Sequence, residues 1–473
     1  MPDRDDLDSW LDGQVDPLPP PPGTFELIKR RARRRRYRKL AITAGGAAVI
    51  VAAAVAVPQV ISLHVLSPNP ASSGVAAGRP ATPSPSGGGS AASSSATPVP
   101  SQVAAPVPPN FQPASVTFVS AGTGWVIGQA GTPGHCATQY CTSVARTDDA
   151  GKTWTGVPAP VTGPPDGAAG VGQIRFLNTE DGWAFGPELF ATHDGGRVWT
   201  QVGTHGLRVT DLETVNGRAF ALFASCSGTG PAFAARCTSY TLYSSAAPGN
   251  DWAPVGASTS GLADRRQTGG YGSASVVLTG AGGYLLAPDG LLYAGPADGS
   301  APWRAVAPIP SGCAVGPAQA NGQPAGALLA AAHAHALVLA CALPPVPGGA
   351  QKKLIFASAD GGASWHPIEP VTAGPAPGAF VAPALAAATS LAASPAGTVV
   401  LGTNQGIDVL PAGARSWQRA ALTGAPAPAA GFSFVGMTTD EQGVAVPADA
   451  AAGTVWFTFD GGRDWHPSSV SSS

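Results

Sequence analysis

Seven tryptophans at nearly even intervals, a short segment spelled alike around four of them, and a chain rich in turn-forming residues predict an all-β fold. The architecture expected is a seven-bladed β-propeller of four-stranded blades, preceded by one transmembrane helix and disordered segments. Only 11% of the 473 residues are charged, against 62 glycines and 48 prolines, which disfavours long exposed helices and coiled coils. With 44% hydrophobic residues the chain can fill a core, so wholesale disorder is excluded.

Residues 1–39 read as a cytoplasmic tail. Asp3, Asp5, Asp6, Asp8, Asp12 and Asp16 and the run Pro19–Pro22 give it little to bury, and an unstructured tail is the default, with Trp10 and Leu11 as a small docking motif the alternative. Nine of the eleven residues from Lys29 to Lys39 are basic, and 40–63 then carries no charge. Its first eighteen residues cover roughly 27 Å as a helix and the whole stretch roughly 36 Å, bracketing a ~30 Å hydrocarbon layer. The basic run sets the N-terminus inside and the bulk of the chain outside. Ala54-Val55-Ala56 resembles a cleavage site, but the basic region begins late and the apolar run is long for a signal peptide, so an uncleaved anchor in the plasma membrane is the reading. The same basic run abuts a span, where lipid headgroups and topology explain it, and no nucleic-acid partner is expected. Residues 64–113 form a linker: from Ser67 to Pro113, 37 of 47 residues are Ala, Gly, Pro, Ser or Thr, giving a flexible tether with a mean reach of roughly 40 Å. After Pro113, 15 basic and 21 acidic residues leave a net −6, unsuited to a polyanion.

The propeller is expected over 114–470. The tryptophans 154, 199, 252, 303, 365, 417 and 465 are 45, 53, 51, 62, 52 and 48 residues apart, a unit near 50 residues without helical periodicity. Four copies share one frame, with a hydroxyl two before an Asp, Gly two after it and Trp five after it: Asp149, Gly151 and Trp154; Asp194, Gly196 and Trp199; Asp360, Gly362 and Trp365; Asp460, Gly462 and Trp465. Weaker copies surround Trp252, Trp303 and Trp417. Gly124-Trp125 and Gly182-Trp183, each with a Phe seven before the Trp, mark a first hairpin in the unit, and Gly283-Tyr284 and Gly443-Val444 are diverged copies. The logic of the corner is local: the carboxylate accepts backbone N–H groups, glycine takes positive φ, and the indole covers the turn. Four such aspartates on separate blades lie too far apart for a calcium or catalytic set.

The spelling Ser/Thr-x-Asp-x-Gly-x-x-Trp resembles the Asp-box of the bacterial neuraminidase repeat found in sialidase-like propellers. With the Phe and Gly-Trp order it is most similar to the photosystem II assembly-factor-like and sortilin-like groups. The resemblance implies that the boxes are structural, that ligands bind at the central channel, and that the chain is a non-catalytic binding or assembly module for an envelope protein, peptide or glycan. A sialidase-like glycoside hydrolase is the alternative. Such enzymes use three arginines, a Tyr with a Glu partner and an Asp, and their Arg-Ile-Pro signature is missing here. Arg175, Arg208, Arg218, Arg236 and Arg304 are available for a carboxylate-binding cluster, while no Glu among 180, 188, 213, 369 and 441 can be assigned to the Tyr.

Six cysteines follow the span, an even number suited to disulfides outside the cell. Fifteen pairings exist; proximity and the blade map favour Cys136 with Cys141, Cys226 with Cys237 and Cys313 with Cys341. His135 with Cys136 and Cys141 is a weaker metal reading, and His333 and His335, placed on one face of a strand, make at most half a metal site. No catalytic residue, metal or cofactor is therefore assigned, and no phosphate-cradling glycine loop or nucleophile elbow is present in the sequence.

Overall fold

A computed structural model describes residues 105–130, 141–162, 170–226, 237–263, 274–310, 313, 326–333, 335–342, 353–368, 386–414, 416–449 and 453–471. The tail, the span expected at 40–63 and most of the linker lie outside them; among the described residues no helix is long and apolar enough to cross a membrane.

The strands form seven antiparallel sheets in chain order, spanning 112–157, 171–201, 208–263, 275–308, 327–367, 388–419 and 432–469. Each has four strands running outward in sequence. Blade 3 gains the short strand Leu262–Ala263, and Ala421–Leu422 adds in parallel to the outermost strand of blade 7. The fold is thus an all-β, seven-bladed propeller. Innermost in each blade are Gln112–Phe118, Val171–Phe176, Arg208–Val215, Ser275–Leu278, Ala327–His333, Ala388–Ala393 and Phe432–Met437.

The middle strands are buried on both faces, and so read as unbroken apolar runs rather than as alternation. In Gly124–Ala130, Val126 packs toward blade 7 while Trp125 and Ile127 pack toward blade 2. Seven hydrophobic clusters result among the described residues, one between each pair of neighbouring blades. Every repeat tryptophan joins the cluster shared with the preceding blade: Trp154 that of blades 7 and 1, Trp303 that of 3 and 4, Trp465 that of 6 and 7.

The Phe seven before Gly-Trp has a steric cause. Phe118 sits opposite Gly124 and Phe176 opposite Gly182, where an added Cβ would lie 2.7 and 2.6 Å from the rings. Leu278 opposite Gly283 and Met437 opposite Gly443 repeat the arrangement.

The ring closes by packing, without exchange of strands, since blade 1 and blade 7 are each built from one continuous stretch. Phe118 meets Phe457 edge-on at 5.6 Å, Gln442 Nε2 donates to the Ala121 carbonyl at 2.8 Å, and Ser468 Oγ donates to the Gly151 carbonyl. Ala105, Val107 and Phe111, which composition assigns to the linker, belong to this seam: Ala105 bridges to Gly156, and Val107 and Phe111 are buried in the closing cluster. A lone Val and Phe in a Pro-rich stretch give too short an apolar signal to mark an element. Cys226–Cys237 joins the second and third strands of blade 3, and Cys313–Cys341 ties blade 5 to the residues that follow blade 4. The third expected pair involves Cys136, outside the described residues.

Between blades 5 and 6 a charged group stands beside the apolar cluster. Asp408, fully buried, lies 2.8 Å from Arg419 Nε, and burial pushes its pKa up to about 6 against the opposing pull of Arg419 and Lys353. Burial likewise lowers Lys353 to about 8.

Candidate functional site

The loops joining first to second strands and third to fourth strands leave from the same face. In blades 1, 2, 5 and 7 the corner turn of the outer pair bonds the hairpin of the inner pair: Ala150 N to Gly122 O, Gly195 N to Glu180 O, Gly361 N to His335 O and Gly461 N to Glu441 O, all at 2.9–3.0 Å. Within each corner the hydroxyl donates to the Asp and accepts from the second Gly. Thr147 bonds Asp149 at 2.8 Å and Gly151 N at 2.9 Å; Thr192 bonds Asp194 at 2.9 Å and Gly196 N at 2.9 Å. Ser358 bonds Asp360 at 2.8 Å and Gly362 N at 2.8 Å; Thr458 bonds Asp460 at 2.8 Å and Gly462 N at 3.0 Å.

The carboxylates also accept downstream N–H groups, such as Thr153 N on Asp149 and Asp464 N on Asp460. The Ser364 hydroxyl, its N–H and Ser358 hold Asp360 near a pKa of about 2. At Asp149 and Asp460 desolvation is the largest single influence and acts upward, but the hydrogen bonds together outweigh it and leave both below the usual carboxylate value. Positive φ alone does not explain the second glycine. A Cβ on Gly362 would lie 2.1 Å from Leu292 of blade 4, and one on Gly151 would lie 2.3 Å from Phe457 of blade 7. None of the four aspartates lines the channel. Trp154 and Trp465 are buried, whereas Trp199 and Trp365 keep part of their surface.

The central channel is where all seven blades meet. A cavity of about 480 Å³ is walled by the later halves of the seven innermost strands. Its wall has two halves. Blades 4, 5 and 6 contribute small aliphatic groups, among them Val277, Ala330, Ala331, Ala392 and Ala393. Blades 1, 2, 3 and 7 contribute Phe118, Phe176, Phe434, Arg175 and Glu213. A second cavity of about 590 Å³ shares Leu278, Ala331, Ala393 and Met437 with the first and extends to Gly280, Ala281 and His333 on the face that carries the corner turns.

One charged group interrupts the lining. Arg175 Nε donates to Glu213 Oε1 at 3.0 Å, its Nη1 donates to the Ile174 carbonyl at 2.8 Å, and its guanidinium stands 5.6 Å from the centre of the Phe434 ring. Two residues earlier on the strand of Glu213, about 7 Å deeper at ~3.3 Å per residue, lies Asp211. It accepts Val276 N at 2.8 Å and Leu212 N at 3.0 Å. Desolvation first and the Glu213 charge second push its pKa up to about 7, against the N–H bonds and Arg175. A carboxyl is thereby left about half protonated at neutral pH beside one that pairs with a guanidinium.

The five available arginines do not converge. Arg175 enters the channel; Arg208 pairs with Glu188 at 2.8 Å; Arg218 donates to Ser244; Arg304 is exposed on an outer strand; Arg236 lies outside the described residues. Among the described residues one arginine and one carboxylate, Glu213, line the channel, with Asp211 buried behind them on the strand of Glu213, and no tyrosine lines it. His333 and His335 do not share a strand face: His333 ends the innermost strand of blade 5 and His335 lies in the following turn, because the hairpin reverses there. Glu213 is one of the five glutamates left unassigned from the sequence, and Asp211 carries no sequence motif. Their spacing in Val209-Thr210-Asp211-Leu212-Glu213 is the available signal, two carboxyls at alternate positions of one strand.

No family model matches the chain, and no curated protein matches it. Solved structures similar to it include YCF48 bound to D1 peptide, at 14% identity over 76% of this chain and 95% of that one with a TM-score of 0.42. YCF48 from Cyanidioschyzon merolae is 13% identical over 66% and 86%, with a TM-score of 0.40. A GH74 enzyme of Niastella koreensis is 12% identical over 76% and 66%, with a TM-score of 0.35.

Proposed function

We propose that this chain is a non-catalytic binding propeller, anchored by the span at 40–63 and held outside the cell, which seats an extended segment of an envelope protein or peptide in its channel. The observation that carries the reading is the channel wall. All seven blades build it, and among its described lining residues the Arg175–Glu213 ion pair departs from the repeat. The corner turns satisfy their own polar groups and leave little chemistry for a ligand. Two disulfides accord with an oxidising compartment.

The test is site-specific photo-crosslinking of the full-length chain in its native envelope. A benzoylphenylalanine at Ala392 in the channel should capture a discrete partner, and one at the exposed rim residue Val198 should not. Capture from Val198 alone would overturn the channel as the site. A sialidase-like hydrolase is the second reading, favoured by one observation: a carboxyl near neutral pKa beside an ionised one is what a general acid needs. A fluorogenic sialoside decides it, and turnover abolished by Asp211→Asn would replace the binding reading.

A further inference from the structure

We infer that the channel selects a segment bearing a lysine or arginine side chain flanked by small apolar residues, with the cation seated on Glu213 and the flanks against the alanine wall of blades 4–6. This rests on the channel being the binding site, and it names what the site takes.

Several polar side chains of the wall are committed. Thr214 Oγ1 donates to the Phe176 carbonyl at 3.1 Å, Asn216 Nδ2 donates to the Gly280 carbonyl at 2.6 Å, and Thr117 Oγ1 accepts from Phe176 N at 3.4 Å. Glu213 differs. One of its oxygens receives Arg175, its side chain is 31% exposed to the cavity, and its other oxygen has no protein partner among the described residues. Charge-assisted hydrogen bonds to such an oxygen are among the strong ones.

Arg175 would repel an incoming cation if Glu213 stood alone. Asp211, buried behind the wall, supplies the second negative charge through its coupling to Glu213 and Arg175: once it releases its proton, two carboxylates offset one guanidinium and one ligand cation, and the set balances. Phe434, already under Arg175, adds a ring face that favours a cation. On the opposite side, Ala330, Ala331, Ala392 and Ala393 leave room for small flanking side chains. The adjoining cavity at His333, Gly280 and Ala281 places the entrance on the face that carries the corner turns. The net −6 after Pro113 attracts the same sign of partner.

The experiment is titration calorimetry on the full-length chain with three blocked pentapeptides, Ala-Val-Xaa-Val-Ala, where Xaa is Lys, Leu or Glu. The Lys peptide should bind at least ~10-fold more tightly than the Leu peptide, with the Glu peptide weakest. Glu213→Gln should bring the Lys-to-Leu ratio close to one, and Asp211→Asn should reduce it by a smaller factor. Ala392→Trp, which fills the channel from the apolar side, should abolish binding of all three; a melting curve for each variant confirms that it is folded. Equal affinity of the three peptides, with binding still lost in Ala392→Trp, would overturn the cation inference and leave the channel reading standing. Binding unaffected by Ala392→Trp, or no binding by any peptide, would overturn both.

Discussion

The corner turns at the rim and the group in the channel use the same residue type in opposite ways. At the rim, Asp149, Asp360 and Asp460 sit within a shell of hydroxyl and N–H donors that holds their carboxylates ionised below the usual range. Just behind the channel wall, Asp211 has two N–H donors, a neighbouring carboxylate and little solvent, and its pKa rises to about 7. A carboxylate that completes a turn is saturated with donors and finished chemically. One left short of donors beside a cavity retains capacity for a ligand. The rim is also repeated with near-identical distances in four blades, while the channel group occurs once; repetition marks what the fold needs, and departure from it marks where a specific task resides.

The comparison predicts that rim substitutions cost stability and spare binding, and that channel substitutions do the reverse. The largest effect is expected from Trp465→Ala, because this indole is fully buried between blades 6 and 7 and donates to the Gly462 carbonyl at 2.9 Å. A loss of about 3–5 kcal/mol in urea unfolding is expected, and a loss below about 1 kcal/mol would break the view that the tryptophans cement neighbouring blades.

Next is Asp211→Asn. A carboxyl whose folded pKa lies near 7 and whose unfolded value is near 3.8 binds its proton more tightly in the folded state, so wild-type stability falls as pH rises from about 4 to 7 and then levels. The variant lacks that slope. Its advantage should be absent near pH 4 and reach up to a few kcal/mol at pH 8, at about 1.4 kcal/mol per pH unit. Asp408, also raised, contributes the same slope to both proteins and cancels. Parallel pH profiles for the two proteins would remove the contrast between rim and channel.

Asp460→Ala takes away the acceptor of the Arg463 and Asp464 N–H groups and should cost about 1–2 kcal/mol at neutral pH. Its wild-type contribution, from a lowered pKa, is present above the usual carboxylate range and is lost as pH falls through it, so the two proteins should converge in acid. The smallest effect is expected at the closing seam. Gln442→Ala removes one bond to Ala121, about 0.5–1.5 kcal/mol, and a much larger loss would mean that the seam depends on that bond more than on its apolar cluster.

Blade number, blade order and the position of each corner were legible because they are local. A hydroxyl, an Asp, a Gly and a Trp at fixed offsets fold within one turn, and the indole recurs with the unit. The Phe opposite Gly was visible as a pattern, but its cause, a ring occupying the space of a missing Cβ, needed the register of two strands. Val107 and Phe111 were hidden in a Pro-rich stretch because their partners come from blade 7, more than 300 residues away.

The chain alone determined a β-propeller of seven repeated units, since burial on both sheet faces and tight polar corners are written in short-range spacing. Only the tertiary structure decided that Arg175 of blade 2, Glu213 of blade 3 and Phe434 of blade 7 share one channel with Asp211 just behind its wall, and that Arg208, Arg218 and Arg304 do not. Those contacts arise from closing a ring. Closure brings together side chains whose spacing along the chain carries no local period.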